Sequence, residues 1–292
     1  MKYIEKYPII MIIVGIFGIS LSSIFVKYST APSAVTAAYR LLWTVILMAP
    51  VVLGKKSVRQ EMKSTDKKTV LLSCLSGLFL AIHFVTWFES LAHTSVVSST
   101  TIVCTEDIWV SLGFCLWLKG KLRVKEIIAI AVTFGGSILI AYADSGSGNQ
   151  LYGDILALVA AVAVAVYTLL GRVVRSKAST TVYTFIVYSA CSAVLLITCF
   201  VQGQGLFEYG LSAPIVGLLL AIFSTILGHS IFSWCLKYFS PSFVSASKLC
   251  EPAVAAVLAA FLFAEIPTLL QIAGGVLIIG GVLYYSKIEK KA

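Results

Sequence analysis

The chain has 292 residues, 59% of them hydrophobic and only 12% charged, with a mean hydropathy of +0.97. A water-soluble fold of this length must cover itself with polar surface, so the composition excludes one. A formal charge of +9 would suit a nucleic-acid binder, but the positions of the charges exclude that as well.

Ten apolar runs, each near the length of about twenty residues that spans a bilayer as a helix, follow one another along the chain. They cover 8–27, 34–53, 69–91, 95–117, 126–143, 153–171, 181–201, 214–236, 242–263 and 268–286. The first run lacks a small-residue cleavage site ahead of a soluble domain, so it reads as a mature helix and not as a signal peptide. Alternate connections are basic. They hold Lys2 and Lys6, then Lys55 to Lys68, then Lys119 to Lys125, then Arg172, Arg175 and Lys177, then Lys237, then Lys287 to Lys291. The other connections, near 92–94, 144–152, 202–213 and 264–267, hold neither Lys nor Arg. This asymmetry orients a multi-pass protein with its basic loops inside. It predicts ten spans in a cell (plasma or inner) membrane, with both termini cytoplasmic.

Residues 95–136 and 240–281 align at one constant offset: Ser95 on Ser240, Glu106 on Glu251, Gly135-Gly136 on Gly280-Gly281. Five spans per half is an odd number, so the second half is expected upside down. The predicted fold is an all-α membrane protein of ten transmembrane helices. Residues 1–145 form a first five-helix repeat and residues 146–292 a second, inverted one, around a central cavity. The seven cysteines lie in apolar runs without a CxxC pair, so they read as small core residues. No disulfide, metal centre or cofactor is expected.

Ionisable groups at bilayer depth are costly and mark functional sites. Glu106 and Asp107 fall at the middle of the fourth run, and Glu251 at the middle of the ninth, with Lys248 one turn before it. A Lys248 pair with Glu251 or Glu106 is the purely structural alternative. The excess of carboxylates leaves one spare to carry a proton or meet a cationic group, because burial favours the protonated carboxyl. His83 in the third run and His229 in the eighth nearly correspond across the repeat; either can hydrogen-bond a ligand or titrate. Arg40 is expected to pair with Glu89 or to bind a substrate carboxylate. Lys27 is expected to reach the interface, and His93 to sit in a short outer loop. Trp87, Trp109, Tyr167, Phe232 and Trp234 are expected to form an aromatic wall for a cation. Tyr3, Tyr7, Tyr284 and Tyr285 are expected in the headgroup belt. Ala157, Ala161, Ala165 and the glycine pairs read as close-packing positions. The fifth and tenth runs carry no buried charge and read as peripheral supports or a dimer surface.

A set of short patterns carries a family resemblance. In the first half these are Gly18, Phe25-Val26-Lys27, Pro32, Arg40, and Thr94-Ser95-Val96 through Ile102 to Glu106-Asp107. In the second they are Ser240-Pro241-Ser242 through Leu249 to Glu251-Pro252, Phe263-Ala264-Glu265, Gly274-Gly275 and Gly280-Gly281. Together they resemble the EamA-type drug/metabolite transporter superfamily over essentially the whole chain. The resemblance implies a cavity lined mainly by helices one, three, four, six, eight and nine, and transport of a small metabolite. Asp107 stands where the family usually has proline, which predicts a straighter fourth helix than ninth. Gly120 stands where the family has Glu, kept here as Glu265.

The leading function is therefore secondary active transport of a small polar metabolite, amino-acid-like or an organic cation, by alternating access. H⁺ is preferred to Na⁺ as the coupling ion, because the expected cavity is poor in oxygen ligands. The partners are a small-molecule substrate and the lipid bilayer, with no nucleic acid, in a monomer or homodimer. A lipid or carrier-lipid flippase on the same scaffold is the alternative. A membrane-embedded enzyme is disfavoured, because HExxH, GxSxG and a phosphate loop are missing and no catalytic residue emerges.

Overall fold

A computed structural model describes residues 8–26, 28–94, 99, 102–144, 151–251, 253–254, 257–258 and 268–288. The expectations for Tyr3, Tyr7, Lys27, Ser95, Pro252, Glu265 and the connections 145–150 and 264–267 lie outside these residues. Among the described residues, six helices are long and apolar enough to cross a membrane, and a shorter apolar one covers Ile272–Ile288.

In chain order, α1 (Pro8–Ser20) and α2 (Ser22–Val26) are separated by a turn at Leu21. α3 (Ser33–Gly54), α4 (Lys56–Ser64) and α5 (Lys67–His93) follow. Then come α6 (Glu106–Leu116), α7 (Val124–Asp144), α8 (Leu151–Arg175) and α9 (Thr180–Val201). α10 (Ser212–Leu219) runs into a π-helical stretch, Leu220–His229, and on into α11 (Ser230–Cys235). α12 (Pro241–Lys248) and α13 (Leu269–Ile288) complete the set.

Side chains next to the apolar runs set several helix starts. Asp66 caps α5 through Oδ1, which accepts from the Thr69 N–H at 2.9 Å, and Oδ2, which accepts from the Thr69 hydroxyl at 2.6 Å. The hydroxyl bond, then the backbone bond, hold the Asp66 carboxyl below its usual range. Ser179 caps α9, and Ser240 caps α12 with Pro241 at its first position. The connection after α3, read from the sequence as a loop, is instead the exposed basic helix α4. Its Glu61 accepts the Ser179 backbone N–H at 2.6 Å and so ties α4 to the start of α9. Arg172 and Arg175, read as orienting charges, also donate to carbonyls: Arg172 to Leu236 and Phe239, Arg175 to Ser233 at 3.1 Å and to Ala178. All of these carbonyls but that of Ala178 lie at or just beyond the end of α11, where helical partners run out.

Helix contacts fall into matched sets. α5 packs on α8 as α1 packs on the π-helical stretch, and α5 packs on α9 as α10 packs on α3. α3 also meets α9, α6 meets α12, and α7 meets α13. One apolar core lies between α3, α5, α8, α9 and α10, and a second between α1, α7, α11, α12 and α13. Ala157, Ala161 and Ala165 are buried in α8, as expected of close-packing positions.

The α7–α13 contact depends on one glycine of each pair. A Cβ on Gly136 would stand 2.7 Å from the Gly274 carbonyl, and one on Gly281 would press on Thr133 and Ala129. Gly135 and Gly280 face open space. Gly136→Ala and Gly281→Ala are expected to destabilise by about 2 kcal/mol each. Gly135→Ala and Gly280→Ala are expected to stay within about 0.5 kcal/mol of the parent. Thermal unfolding in detergent checks both pairs; equal effects at all four positions would refute the packing assignment.

Two expectations are corrected. Tyr285 is fully buried, its ring 5.3 Å from Phe243, while Tyr284 is exposed. Adjacent helical residues point about 100° apart, so both cannot face the headgroups. The fourth span is also not straight. Turns at Cys104-Thr105 and at Leu249-Cys250 interrupt the fourth and ninth spans at equivalent places. At both, N–H groups bond three residues back: Thr105 to Ile102 (3.0 Å), Ile108 to Thr105 (3.0 Å), Leu249 to Ala246 (3.1 Å) and Cys250 to Ser247 (3.2 Å). No proline is needed in the fourth span. The Thr105 hydroxyl takes the Ile102 carbonyl at 2.6 Å, a local bond that competes with the helical ladder.

Candidate functional site

These two turns open onto one cavity of about 60 Å³, room for only a few water-sized groups. The break at Leu21 brings Ile19 and Ser22 to it; α3 brings Arg40, and α5 brings His83 and Trp87. The first turn contributes Cys104 and Glu106, the π-helical stretch His229, and α12 with the second turn contributes Ser245, Lys248 and Glu251.

Lys248 bridges the halves. Its ammonium lies 2.8 Å from Glu106 Oε1, which also accepts from the Thr168 hydroxyl at 3.0 Å. The same ammonium stands 5.6 Å above the Phe232 ring. Of the two pairings considered from the sequence, Lys248–Glu106 forms. Glu251 lines the same cavity, and among the described residues no partner lies within hydrogen-bonding distance of its carboxylate. Its backbone carbonyl accepts from Ser20 at 3.4 Å.

Arg40 is fully buried and not paired with Glu89. Its Nε donates to Thr225 Oγ1 at 2.8 Å and its Nη1 to Ser22 Oγ at 3.3 Å, with the guanidinium 4.2 Å over the Phe84 ring. The π-helical turn positions the acceptor. The Thr225 hydroxyl donates five residues back to Leu220 at 3.2 Å, leaving its lone pairs for Arg40. Glu89 instead meets His93 at 3.1 Å at the far end of α5, both about half exposed. His93 is thus the last residue of that helix and not part of a loop.

The histidines face each other, ring centroids 6.4 Å apart, and Trp87 stacks on His83 at 5.8 Å. His83 Nδ1 lies 3.0 Å from the Ala160 carbonyl. A carbonyl only accepts, so Nδ1 carries the hydrogen and Nε2 of the neutral ring keeps a lone pair. Asp107 is buried beside the cavity but does not line it. Its Oδ1 accepts from Ser245 Oγ at 2.6 Å, and Ser245 does line the cavity.

The expected aromatic wall shrinks. Trp109 is 37% exposed on α6, opposite the face that buries Glu106, Asp107 and Val110. Trp234 packs on Tyr238 at 4.4 Å, away from the cavity. Tyr167 is buried behind His229, at 6.0 Å, with its hydroxyl 2.9 Å from Ser233 Oγ. Trp87 and the two histidines remain on the lining. The sequence reading missed Ser22, Thr168, Thr225 and Ser245. Ser245 was discoverable, because it precedes Lys248 and Glu251 at successive spacings of three that place all three on one helical face.

Among the described residues, no three His, Cys, Asp or Glu side chains gather as metal ligands. The model of the EamA-like transporter family matches residues 6–142 and again residues 151–287. The "Uncharacterized transporter YxxF" of Bacillus subtilis (strain 168) is 27% identical over 94% of this chain and 86% of its own length. An "Uncharacterized transporter" of Clostridium kluyveri is 25% identical over 86% and 85% of the two chains. A solved crystal structure superimposes with a TM-score of 0.79 over 97% of each chain at 15% identity, which establishes a shared fold.

Proposed function

We propose how a chain that belongs to the EamA-like transporter family, and is therefore a multi-pass membrane transporter, does its work. It is a secondary active carrier of a small polar metabolite, amino-acid-like or an organic cation, coupled to protons. Ten helices in two inverted repeats, 1–145 and 146–292, rock about the central cavity to open it to either side in turn. The two family matches, the matched helix contacts and the equivalent turns in the fourth and ninth spans support this arrangement. The alternation of basic and non-basic connections supports cytoplasmic termini in the cell membrane.

The observation that carries the mechanism is Glu251. Glu106 has its countercharge in Lys248, whereas the Glu251 carboxylate lines the same cavity with no hydrogen-bond or ion-pair partner among the described residues. Such a carboxylate takes either a proton or a cationic group of the substrate. The two compete, and competition for one group makes occupancy by one expel the other, so the carrier exchanges them. Lys248–Glu106 spans the two halves and must adjust when they move.

Proteoliposome flux with an imposed pH gradient tests this. In the wild type, a gradient directed against substrate movement is expected to stimulate flux about tenfold. Glu251→Gln is expected to remove that stimulation while the protein still inserts and runs as a single species. Wild-type flux indifferent to the gradient would refute proton coupling.

A further inference from the structure

The seam between α6 and α12 holds a polar cluster that the transport reading does not use. Asp107 is 1% exposed, and its two carboxylate oxygens differ. Oδ1 accepts from Ser245 Oγ at 2.6 Å, while Oδ2 has no partner among the described residues. Ser111 Oγ and Ser242 Oγ are likewise buried and unpartnered there, in residues 9% and 0% exposed. Asp107 and Ser111 lie four residues apart on the buried face of α6, and Ser242 and Ser245 three apart on α12, spacings that share a helix face. The Asp107–Ser245 bond brings these two faces together, and α6 packs on α12. α6 leaves the first of the two turns and α12 arrives at the second, so Ser111 and Ser242 both lie about one turn farther from the cavity than that bond.

Buried polar groups without partners are unfavourable, a charged carboxylate most of all. Among the described residues, the ion pairs engage Glu89, Glu126 and Glu106 and not Asp107, and Lys248 is committed to Glu106. Asp107 sits in the first turn of α6, where the helix dipole favours its ionised form. What completes the cluster therefore carries positive charge. The side chains offer oxygen alone, which suits a hard cation. The single carboxylate balances one charge, so a divalent ion would leave an excess inside the bilayer. We infer that Asp107, Ser111, Ser242 and Ser245 form a sodium-binding site between the first and second halves of the chain, separate from the cavity. α6 belongs to the first half and α12 to the second, so bound Na⁺ favours the arrangement in which they pack together. Asp107 stands where the family resemblance expects proline, which makes the site a feature of this chain and not of the shared fold.

Thermal unfolding of the purified full-length protein in NaCl, KCl or choline chloride at equal ionic strength tests the inference. NaCl is expected to raise the unfolding temperature above that in choline chloride, saturably, and KCl to raise it less. Asp107→Asn is expected to abolish the sodium response. Ser111→Ala and Ser242→Ala keep the carboxylate, and each is expected to need at least about tenfold more Na⁺ for the same shift. These two variants test the site even if Asp107→Asn does not fold. Glu251→Gln changes the cavity and is expected to keep the full sodium response, so proton coupling at Glu251 and the sodium site fail separately. Equal unfolding temperatures of the wild type in all three salts, the result if a water molecule completes the cluster, would overturn the inference. So would a sodium response unchanged in either serine variant, or a response to K⁺ as large as that to Na⁺.

Discussion

Lys248→Met is expected to abolish transport and to destabilise the protein by about 3 kcal/mol. The lysine neutralises Glu106 at 2.8 Å, and both side chains are almost wholly withdrawn from solvent, at 13% and 9% exposed. Removing the cation leaves a carboxylate with, among the described residues, one hydroxyl, Thr168, to hold its charge. Removing both charges together is far less damaging, because an apolar or neutral pair has no desolvation cost to recover. The double variant Lys248→Met/Glu106→Gln is therefore expected to regain most of the lost stability and none of the transport. Unfolding of the four proteins in this cycle isolates the coupling. If the double variant were no more stable than Lys248→Met, the pair would not be the reason Lys248 is needed.

Gly18→Val is expected to have a comparable effect on stability for a different reason. A Cβ at this position would lie 2.6 Å from the Phe223 carbonyl and 3.0 Å from the Leu227 backbone. These are backbone atoms of the π-helical stretch, so no side-chain rotation relieves the contact. Overpacking of this kind costs about 3 kcal/mol. Pushing α1 off that stretch also disturbs Thr225, which holds Arg40. Gly18→Val should accordingly lower the unfolding temperature and weaken substrate binding in the fraction that remains folded. Unfolding and ligand binding at the wild-type level would show that α1 and the π-helical stretch do not depend on their close approach.

The legible parts of this molecule are those where physics acts residue by residue. A charge within an apolar run has few places to go, so the sequence alone assigns Glu106, Lys248, Glu251, Arg40 and the two histidines to one interior. Helix positions were readable because span length and loop charge are both local. Partners were less readable. Arg40 meets Thr225 because a π-helical turn inserts an extra residue, and the sequence of 220–229 is apolar with small polar residues like its neighbours. The fourth-span break was missed because proline was taken as its sole cause, while Thr105 achieves it with a hydroxyl. Trp109 and Trp234 were misassigned because an aromatic ring suits lipid, core and ligand alike. Only rotation about the helix axis separates these environments, and a fully apolar span gives no polar face from which to read it.

Among the described residues, the charged side chains on the cavity lining are Arg40, Lys248, Glu106 and Glu251, two of each sign. Their formal charges cancel, and the Asp107 carboxyl lies buried behind them on Ser245. A proton on Glu251 adds one positive charge to this interior. On the exchange reading, the proton-loaded carrier therefore reorients with one positive charge more than the empty carrier, a difference worth about 2.3 kcal/mol per 100 mV. Voltage across the membrane then biases the proton-loaded return step of the cycle.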